Sequence, residues 1–241
     1  MSAIRKKKKL TENEYLVIEH DAEFKSEYFN GEMFPMDGVN RVEPPMSAIP
    51  MKKRLTEEEY LVIERDAEFK SEFYDGEMFA IPGGSRQHGE LHHNLVIEIG
   101  NRLRGGRCRT YGPDQRVKVK RTGLYTYPDL VIACNPEFEK KLGVDILLNP
   151  RVVFEILSKT TEGYDRGTKF QQYQRLPSVK EYVLVSQDRM VIERYVRQAD
   201  GTWVLKTFDD PDGTFSLATV KVRIPMADIY RGVKLPEDPL P

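Results

Sequence analysis

Two carboxylates interrupt the most apolar stretches of this 241-residue chain. Asp129 lies in YTYPDLVIAC, residues 125–134, and Glu155 lies in RVVFEIL, residues 151–157. A charged side chain in such a strand is costly unless it is paired or bound to a metal ion. If the two strands are neighbours, the carboxylates converge and repel each other until a hard cation such as Mg²⁺ lies between them. The sequence therefore predicts a metal site at Asp129 and Glu155.

The elements that must position these carboxylates alternate between helices and strands. Residues 86–104 carry leucine or isoleucine at every fourth position and end at Gly105, which predicts a long helix. Residues 160–176 and 225–231 predict a second and a third helix. Strands are predicted at 115–121, 125–134, 151–157, 180–187, 190–198 and 202–208, with a polar loop at 135–149. This order indicates an α/β (α+β) domain with a mixed central sheet flanked by helices.

The N-terminal part of the chain is duplicated. Residues 1–36 align with residues 46–81 at an offset of 45, and 26 of the 36 aligned pairs are identical. The second copy predicts a helix that begins with a capping box, Thr56 with Glu59. Two short strands follow it, joined by a tight turn at Asp75–Gly76. Two copies are too few for a solenoid, which needs about three repeats to bury a continuous core.

A compact domain has one place for this helix and hairpin, and the second copy is contiguous with the rest of the chain. We therefore expect a main domain at residues 46–235, a peripheral segment at 1–45 and a tail at 236–241. The first copy is expected to stay peripheral or to dock on a second chain and form a homodimer.

Composition excludes several classes of protein. The chain has 37 Lys and Arg against 38 Asp and Glu, so it is not a polycation that coats nucleic acid by bulk charge. Cys108 and Cys134 are too few for a disulfide framework and lack paired zinc-site spacing, so two reduced cysteines are expected. No stretch approaches the roughly 20 apolar residues of a membrane span. A cytoplasmic protein without a membrane segment is predicted.

The combined motifs resemble the Uma-two family of restriction-endonuclease-like proteins, within the PD-(D/E)xK nuclease superfamily. The resemblance extends from about residue 55 to about residue 230, through YDGEMF, SRQH, YPDLVI, FEILS, YDRGTKFQQY and EYVLVSQD in the family's order. It implies a restriction-endonuclease-like fold and Mg²⁺- or Mn²⁺-dependent hydrolysis of phosphodiester bonds, with DNA as the partner. Asp129 and Glu155 are then the metal-binding acids.

The sequence departs from the superfamily pattern at the catalytic lysine. The superfamily places a lysine two residues after the second acid, where this chain has Leu157. The resemblance implies that Lys169, on the following helix, replaces it as the third catalytic residue. Asp165, Lys169 and Tyr173 are spaced by four residues and share one helix face. Lys159, four residues after Glu155, is the rival lysine.

Three further residues are weaker candidates. Glu77 in the hairpin is a possible additional acid, and an exposed turn-flanking carboxylate is the equal alternative. His88 either lies near the site or caps the helix start, and its spacing from His92 is also one that can bind zinc. Asp114 is the aspartate of a second Pro-Asp pair, Pro113-Asp114, which precedes a less apolar strand, and it is placed at the edge of the site.

The segment 101–123 carries eight basic residues against one acid. It is the best candidate for a phosphate-contacting surface, and a solvated charged face is the alternative. The nucleic-acid-binding residues predicted from it are Arg102, Arg104, Arg107, Arg109, Arg116, Lys118 and Lys120. The leading functional hypothesis is a Mg²⁺-dependent DNA endonuclease. The alternative, motivated by Leu157, is a catalytically degenerate nuclease fold that binds nucleic acid or protein.

Overall fold

A computed structural model describes residues 26–29, 32–35 and 54–236 of the chain. The chain divides into two compact units, Met1–Lys52 and Lys53–Pro241. In the first unit, strand β1 (Ser26–Phe29) pairs in antiparallel fashion with β2 (Glu32–Pro35). The predicted boundary between the copies, at residues 45 and 46, and most of the predicted tail lie outside the described residues.

The second unit begins with the helix and hairpin predicted from the repeat. Helix α1 (Glu57–Asp66) starts at Thr56, whose side chain accepts from the Glu59 N–H while the Glu59 carboxylate accepts from the Thr56 N–H. Strands β3 (Ser71–Tyr74) and β4 (Glu77–Ala80) follow. Asp75 and Gly76 join them with φ values of 50° and 83°, as a two-residue turn of this type requires. The capping box and the tight turn are both confirmed.

Within residues 54–236, most strands belong to two six-stranded mixed sheets. In the first sheet the order is β4, β3, β7 (Leu124–Thr126), β6 (Arg116–Val119), β10 (Val144–Leu147) and β9 (Phe138–Lys141). In the second it is β14 (Trp203–Phe208), β13 (Ile192–Arg197), β12 (Glu181–Ser186), β11 (Val152–Leu157), β8 (Leu130–Cys134) and β5 (Cys108–Tyr111). The pairs β6–β10 and β11–β12 are parallel, and the remaining pairs are antiparallel.

Helices and one more hairpin complete the second unit. The hairpin consists of β15 (Thr214–Leu217) and β16 (Val222–Pro225). The helices after α1 are α2 (Arg86–Leu103), α3 (Glu162–Tyr164), a π-helical turn (Asp165–Lys169), α4 (Phe170–Gln174) and α5 (Met226–Ile229). We refer to the continuous run from α3 through the π-helical turn to α4 as the composite helix. The predicted mixed α+β architecture is confirmed.

Two predicted segments differ from the structure. The predicted strand at 125–134 is two strands, because the chain leaves the first sheet after Thr126 and enters the second at Leu130. Asp129 therefore lies just before a strand, where the two sheets meet. The predicted loop at 135–149 is wrong: it contains the β9–β10 hairpin, whose charged edge strand has a loop-like composition.

Side chains alternate between the two faces of the second sheet, so the core has two layers. One face packs against helix α2 and the β15–β16 hairpin, and its members include Leu130, Ile132, Phe154 and Ile156. The other face packs against the first sheet and the composite helix, and its members include Val131, Ala133, Val153 and Leu157. Glu155 lies between Val153 and Leu157, so the strand period directs it toward the composite helix.

Cys108 and Cys134 form a disulfide, which corrects the expectation of two reduced cysteines. The two residues lie opposite each other in the register of β5 and β8. The bond therefore ties the edge strand β5 to the strand that begins beside Asp129. No helix among the described residues is long and apolar enough to cross a membrane.

Candidate active site

The two predicted acids lie near each other where β8 begins beside β11. The pairing of these strands ends with Leu130 opposite Phe154, and Asp129 and Glu155 are the next residues beyond that pair. Burial raises the pKa of Glu155, and the nearby charge of Asp129 adds to that effect. The Ile156 N–H donates to Asp129 Oδ2 at 2.7 Å, which fixes the Asp129 carboxylate on the edge of β11. The convergence predicted from the two apolar strands is therefore present.

The composite helix brings Lys169 to these acids. Lys169 Nζ lies 3.0 Å from Glu155 Oε1 and 3.7 Å from Asp165 Oδ1. Both helix residues belong to the π-helical turn, a local widening that often occurs at functional sites. The lysine that the resemblance implies in place of the one missing at Leu157 therefore lies beside the second acid.

A fourth carboxylate, from Glu72 on β3, completes the cluster. Glu72 Oε1 lies 3.2 Å from Lys169 Nζ, and Tyr164 donates to Glu72 Oε2 at 2.8 Å. The Thr126 hydroxyl also donates to this carboxylate. Glu72, Glu155, Asp165 and Lys169 are all buried, with exposed fractions of 7%, 3%, 4% and 6%. The sequence analysis missed Glu72, because the same hairpin offers Glu77 with an equally plausible pattern.

Burial and crowding set the charge of these groups. Burial raises the pKa of Glu155 well above its usual range, and the neighbouring acids add to that effect against the opposing charge of Lys169. Burial likewise raises the pKa of Asp165. Burial alone lowers the pKa of Lys169, but Glu155 and Glu72 outweigh it and raise that pKa well above its ordinary value. The cluster holds an excess of acids around one permanently charged ammonium.

His88 contacts the site from the start of helix α2. Ser85 caps this helix by accepting from the His88 N–H at 3.1 Å, and His88 Nε2 lies 3.1 Å from Asp129 Oδ1. Burial opposes both charges, but the hydrogen bond raises the pKa of His88 and lowers that of Asp129. Of the two predicted alternatives, His88 therefore lies near the site, whereas the helix cap is Ser85.

The other candidate residues lie elsewhere. Glu77 is exposed on the edge strand β4, with Arg54 as its electrostatic neighbour. Asp114 is exposed and pairs with Lys70 at 2.8 Å. Lys159 is exposed in the turn after β11. None of the contacts found within residues 54–236 joins these three side chains to the cluster, so Lys169 is the lysine that the fold brings to the acids.

The basic stretch does not form one surface. Arg116 is buried, donates to the Tyr127 hydroxyl at 2.7 Å and lies near Glu64, which corrects its predicted place on a phosphate-contacting face. Lys118 pairs with Glu57 at 2.8 Å. Arg102 donates to the Arg223 carbonyl at 2.7 Å and pairs with Glu98. Among the seven predicted nucleic-acid-binding residues, those that are exposed and for which the described part of the chain shows no partner carboxylate are Arg104, Arg107, Arg109 and Lys120.

These exposed arginines lie at the end of α2 opposite to His88. Fourteen residues separate His88 from Arg102, which is about 21 Å along an α-helix. Arg109 pairs with Ala133 near the far end of β8, about 13 Å along the strand from Asp129. Any nucleic acid that touched both regions would have to extend across this distance.

The donor set suits a hard divalent cation. No group of three or more His, Cys, Asp or Glu side chains within the described residues is arranged to hold a metal ion. Mg²⁺, however, is usually held by one or two carboxylates, with water and substrate phosphate supplying the other oxygens. Asp129 and Glu155 are such a pair, although burial, with a smaller contribution from the neighbouring acids, raises the pKa of Glu155. The His88 and His92 pair has no third ligand of this kind, so the zinc alternative gains no support.

Sequence comparison identifies the family to which this arrangement belongs. Residues 57–227 match Uma2, a family described as "Putative restriction endonuclease". The chain belongs to the Uma2 family. The match begins at the first turn of α1 and ends in α5, so it includes every member of the buried cluster. The family predicted from the sequence motifs is confirmed.

Relatives and a solved structure agree with this assignment. The uncharacterized protein slr1290 of Synechocystis sp. is 33% identical over 150 residues, 62% of this chain and 77% of that protein. The uncharacterized protein sll1609 of the same organism is 32% identical over 227 residues, 92% of this chain and all of that protein. Both align with this Uma2 chain over most of their own length.

The crystal structure of a putative nuclease belonging to DUF820 from Anabaena variabilis has the same fold. It superposes with a TM-score of 0.59 at 18% identity, covering 71% of this chain and 95% of that one. The predicted restriction-endonuclease-like fold is therefore confirmed. Family and fold together support a nuclease of the restriction-endonuclease type.

Proposed function

We propose that this Uma2 protein is a divalent-metal-dependent endonuclease that hydrolyses phosphodiester bonds in DNA. The observation that carries the proposal is the Lys169 ammonium 3.0 Å from Glu155, next to Ile156, whose N–H donates to Asp129 at 2.7 Å. Two acids and a lysine at one edge of a sheet are a set that can bind a cation and a phosphate together. Family membership and fold support the same chemistry.

Each side chain has a distinct role in this proposal. Asp129 and Glu155 would hold Mg²⁺ or Mn²⁺, which when bound polarises a phosphate oxygen and lowers the pKa of a water molecule. Lys169 keeps its positive charge at neutral pH, because the surrounding acids raise its pKa. Its ammonium would orient the attacking water or stabilise the charge that develops on the phosphate.

His88 and the Ile156 N–H keep the Asp129 carboxylate ionised and oriented. They lie 3.1 Å and 2.7 Å from its two oxygens, and they lower its pKa against the effect of burial. An aspartate that stays charged and cannot rotate is a better ligand for a hard cation. The role of His88 is therefore to support a metal ligand.

Cleavage assays with matched variants test the proposal. Wild type, Asp129→Asn, Glu155→Gln and the exposed control Glu77→Gln are compared on supercoiled, linear and single-stranded DNA with Mg²⁺, Mn²⁺ or EDTA. Nicking or cleavage is expected for wild type and Glu77→Gln with metal, and is expected to disappear with EDTA and in both site variants. Equal cleavage by all four proteins would falsify the assignment.

A degenerate nuclease that only binds nucleic acid or protein is the second candidate, motivated by Leu157. Calorimetric titration of the intact protein with Mn²⁺ separates the two. The proposed function requires binding heat that is lost in Glu155→Gln and retained in Glu77→Gln. A cytoplasmic location and a homodimer built through the first copy stay predictions. The mass of the chain in solution, with and without residues 1–45, tests the dimer.

A further inference from the structure

Glu72 is a buried carboxylate with three polar partners, and the proposed mechanism leaves it without a role. Its partners are the Lys169 ammonium, the Thr126 hydroxyl and the Tyr164 hydroxyl. A buried glutamate is costly unless every acceptor is satisfied, and here each oxygen has at least one donor. Such complete satisfaction indicates a carboxylate that is held in one position.

Lys169 lies between carboxylates that come from the two different sheets. Glu155 belongs to β11 of the second sheet and approaches Nζ to 3.0 Å, whereas Glu72 belongs to β3 of the first sheet and approaches it to 3.2 Å. A lysine side chain is flexible, and a single acidic partner leaves it several rotamers. Two acidic partners fixed on separate sheets restrict Nζ to the space between them.

We propose that Glu72 is a positioning residue, which holds the Lys169 ammonium in register with Asp129 and Glu155. This inference rests on the proposed nuclease function and extends it to the hairpin of the repeated segment. The β3–β4 hairpin then supplies part of the active site. Asp165 Oδ1, at 3.7 Å, is a third acidic neighbour of the same ammonium.

The first unit contains the same hairpin with an equivalent glutamate. Glu27 pairs with Phe34 in β1–β2, in the same register in which Glu72 pairs with Phe79 in β3–β4. Thr126 and Tyr164 donate to Glu72 and belong to the second unit. The proposal concerns Glu72, whose contacts with these donors and with Lys169 are given above.

Steady-state kinetics of four proteins test the proposal: wild type, Glu72→Gln, Lys169→Met and the double variant. Misplacing a catalytic group by about 1 Å can cost on the order of 100-fold in rate. Glu72→Gln is therefore expected to lower kcat by about 10- to 100-fold while KM changes less than about threefold. Because Glu72 acts through Lys169, the double variant is expected to match Lys169→Met alone.

Two further variants control for misfolding and for nonspecific effects of a substitution in the hairpin. Glu77→Gln removes an exposed carboxylate from the same hairpin and is expected to retain wild-type kcat. Tyr164→Phe removes one donor to Glu72 at a partly exposed residue, and a fall in kcat of about two- to fivefold is expected without loss of folding. Thermal unfolding of every variant establishes that the rates refer to folded protein.

The outcomes separate this proposal from the function on which it rests. The positioning role is overturned if Glu72→Gln has the kcat of wild type while Lys169→Met stays inactive. If Glu72→Gln does not fold, a wild-type kcat in folded Tyr164→Phe overturns it in the same way. A double variant much slower than Lys169→Met also overturns it, because the two residues would then act independently. Wild-type cleavage by Lys169→Met and by the Asp129 and Glu155 variants would overturn the nuclease assignment itself.

Discussion

The buried acidic cluster and the basic stretch at residues 101–123 begin as similar signals, each a local excess of one charge in the sequence. In the folded protein their arrangements are opposite. Acids from separate strands and the composite helix meet around Lys169, whereas the basic residues, which are close in sequence, are dispersed. Arg116 is buried, Lys118 is paired with Glu57, and Arg107 and Arg109 are exposed.

The difference lies in what surrounds each charge. A carboxylate in an apolar strand is carried into the core with the strand, so it must find partners there. A basic residue in a half-exposed strand can turn to solvent, to a nearby acid or to an aromatic ring at little cost. Charges within apolar strands therefore predict convergence better than the density of charge along the chain predicts a surface.

The largest effect on the comparison is expected from replacing Lys169 and, separately, Lys159. Lys169→Met is expected to reduce the rate of DNA cleavage by about 100- to 1,000-fold, since it removes a preorganised charge at the reacting phosphate. Lys159→Met, which removes the exposed rival, is expected to change the rate by less than about twofold. Initial rates under single-turnover conditions give both values, and a larger effect at Lys159 would reverse the assignment of the two lysines.

Replacing the buried Arg116 tests whether this member of the basic stretch stabilises the fold and does not contact phosphate. Arg116→Met is expected to lower the free energy of unfolding by about 3 kcal/mol, because Glu64 and Tyr127 lose a buried cationic partner. Arg107→Met, at an exposed position, is expected to stay within about 0.5 kcal/mol of wild type. Urea titration measures both, and a stable Arg116 variant with weakened DNA binding would restore this residue to the phosphate-contacting set.

The Glu57–Lys118 pair predicts a pH window of stabilisation. Burial raises the pKa of Glu57, but the contacts with Lys118, Lys141 and Tyr125 together lower it from 4.5. Burial lowers the pKa of Lys118, but its contacts with Glu57 and Tyr125 together raise it from 10.5. The depressed acid contributes stability above pH 4.5, which is lost as the pH falls through its folded pKa. The raised lysine contributes below pH 10.5, and that contribution is lost as the pH rises through its folded pKa.

Unfolding of Glu57→Gln at several pH values measures this window. The variant is expected to be less stable than wild type at pH 7 and to approach it in acid, below the lowered pKa of Glu57. A stability difference that is equally large at pH 7 and in strong acid would mean that Glu57 acts through packing, and Lys118 would return to the set of available phosphate contacts.

The smallest effects are expected from the exposed arginines. Replacing Arg104, Arg107 or Arg109 singly by alanine is expected to weaken DNA binding a few fold, with a salt dependence that falls by up to about one unit per lost phosphate contact. Binding isotherms at several salt concentrations test each residue. Since these residues lie far along α2 and β8 from Asp129, kcat at saturating DNA is expected to remain that of wild type.

Much of the fold followed from local patterns. The capping box at Thr56, the turn at Asp75–Gly76 and the helix from Arg86 depend on neighbouring residues alone, and all are present. The β9–β10 hairpin was not predictable in this way, because its edge strand is charged and its pairing depends on contact with β6. The disulfide between Cys108 and Cys134 likewise depends on pairing between β5 and β8.

The sequence by itself determined the family, the mixed α+β class and the central members of the candidate site. Asp129 and Glu155 are recognisable because their charges conflict with the apolar strands around them, whereas Lys169 was implied by the resemblance to the family. Only the tertiary structure decided that Glu72 joins them and that Glu77, Asp114 and Lys159 do not. The physical reason is that Glu72 reaches Lys169 through the packing of one sheet on another, a contact across nearly a hundred residues that no local pattern encodes.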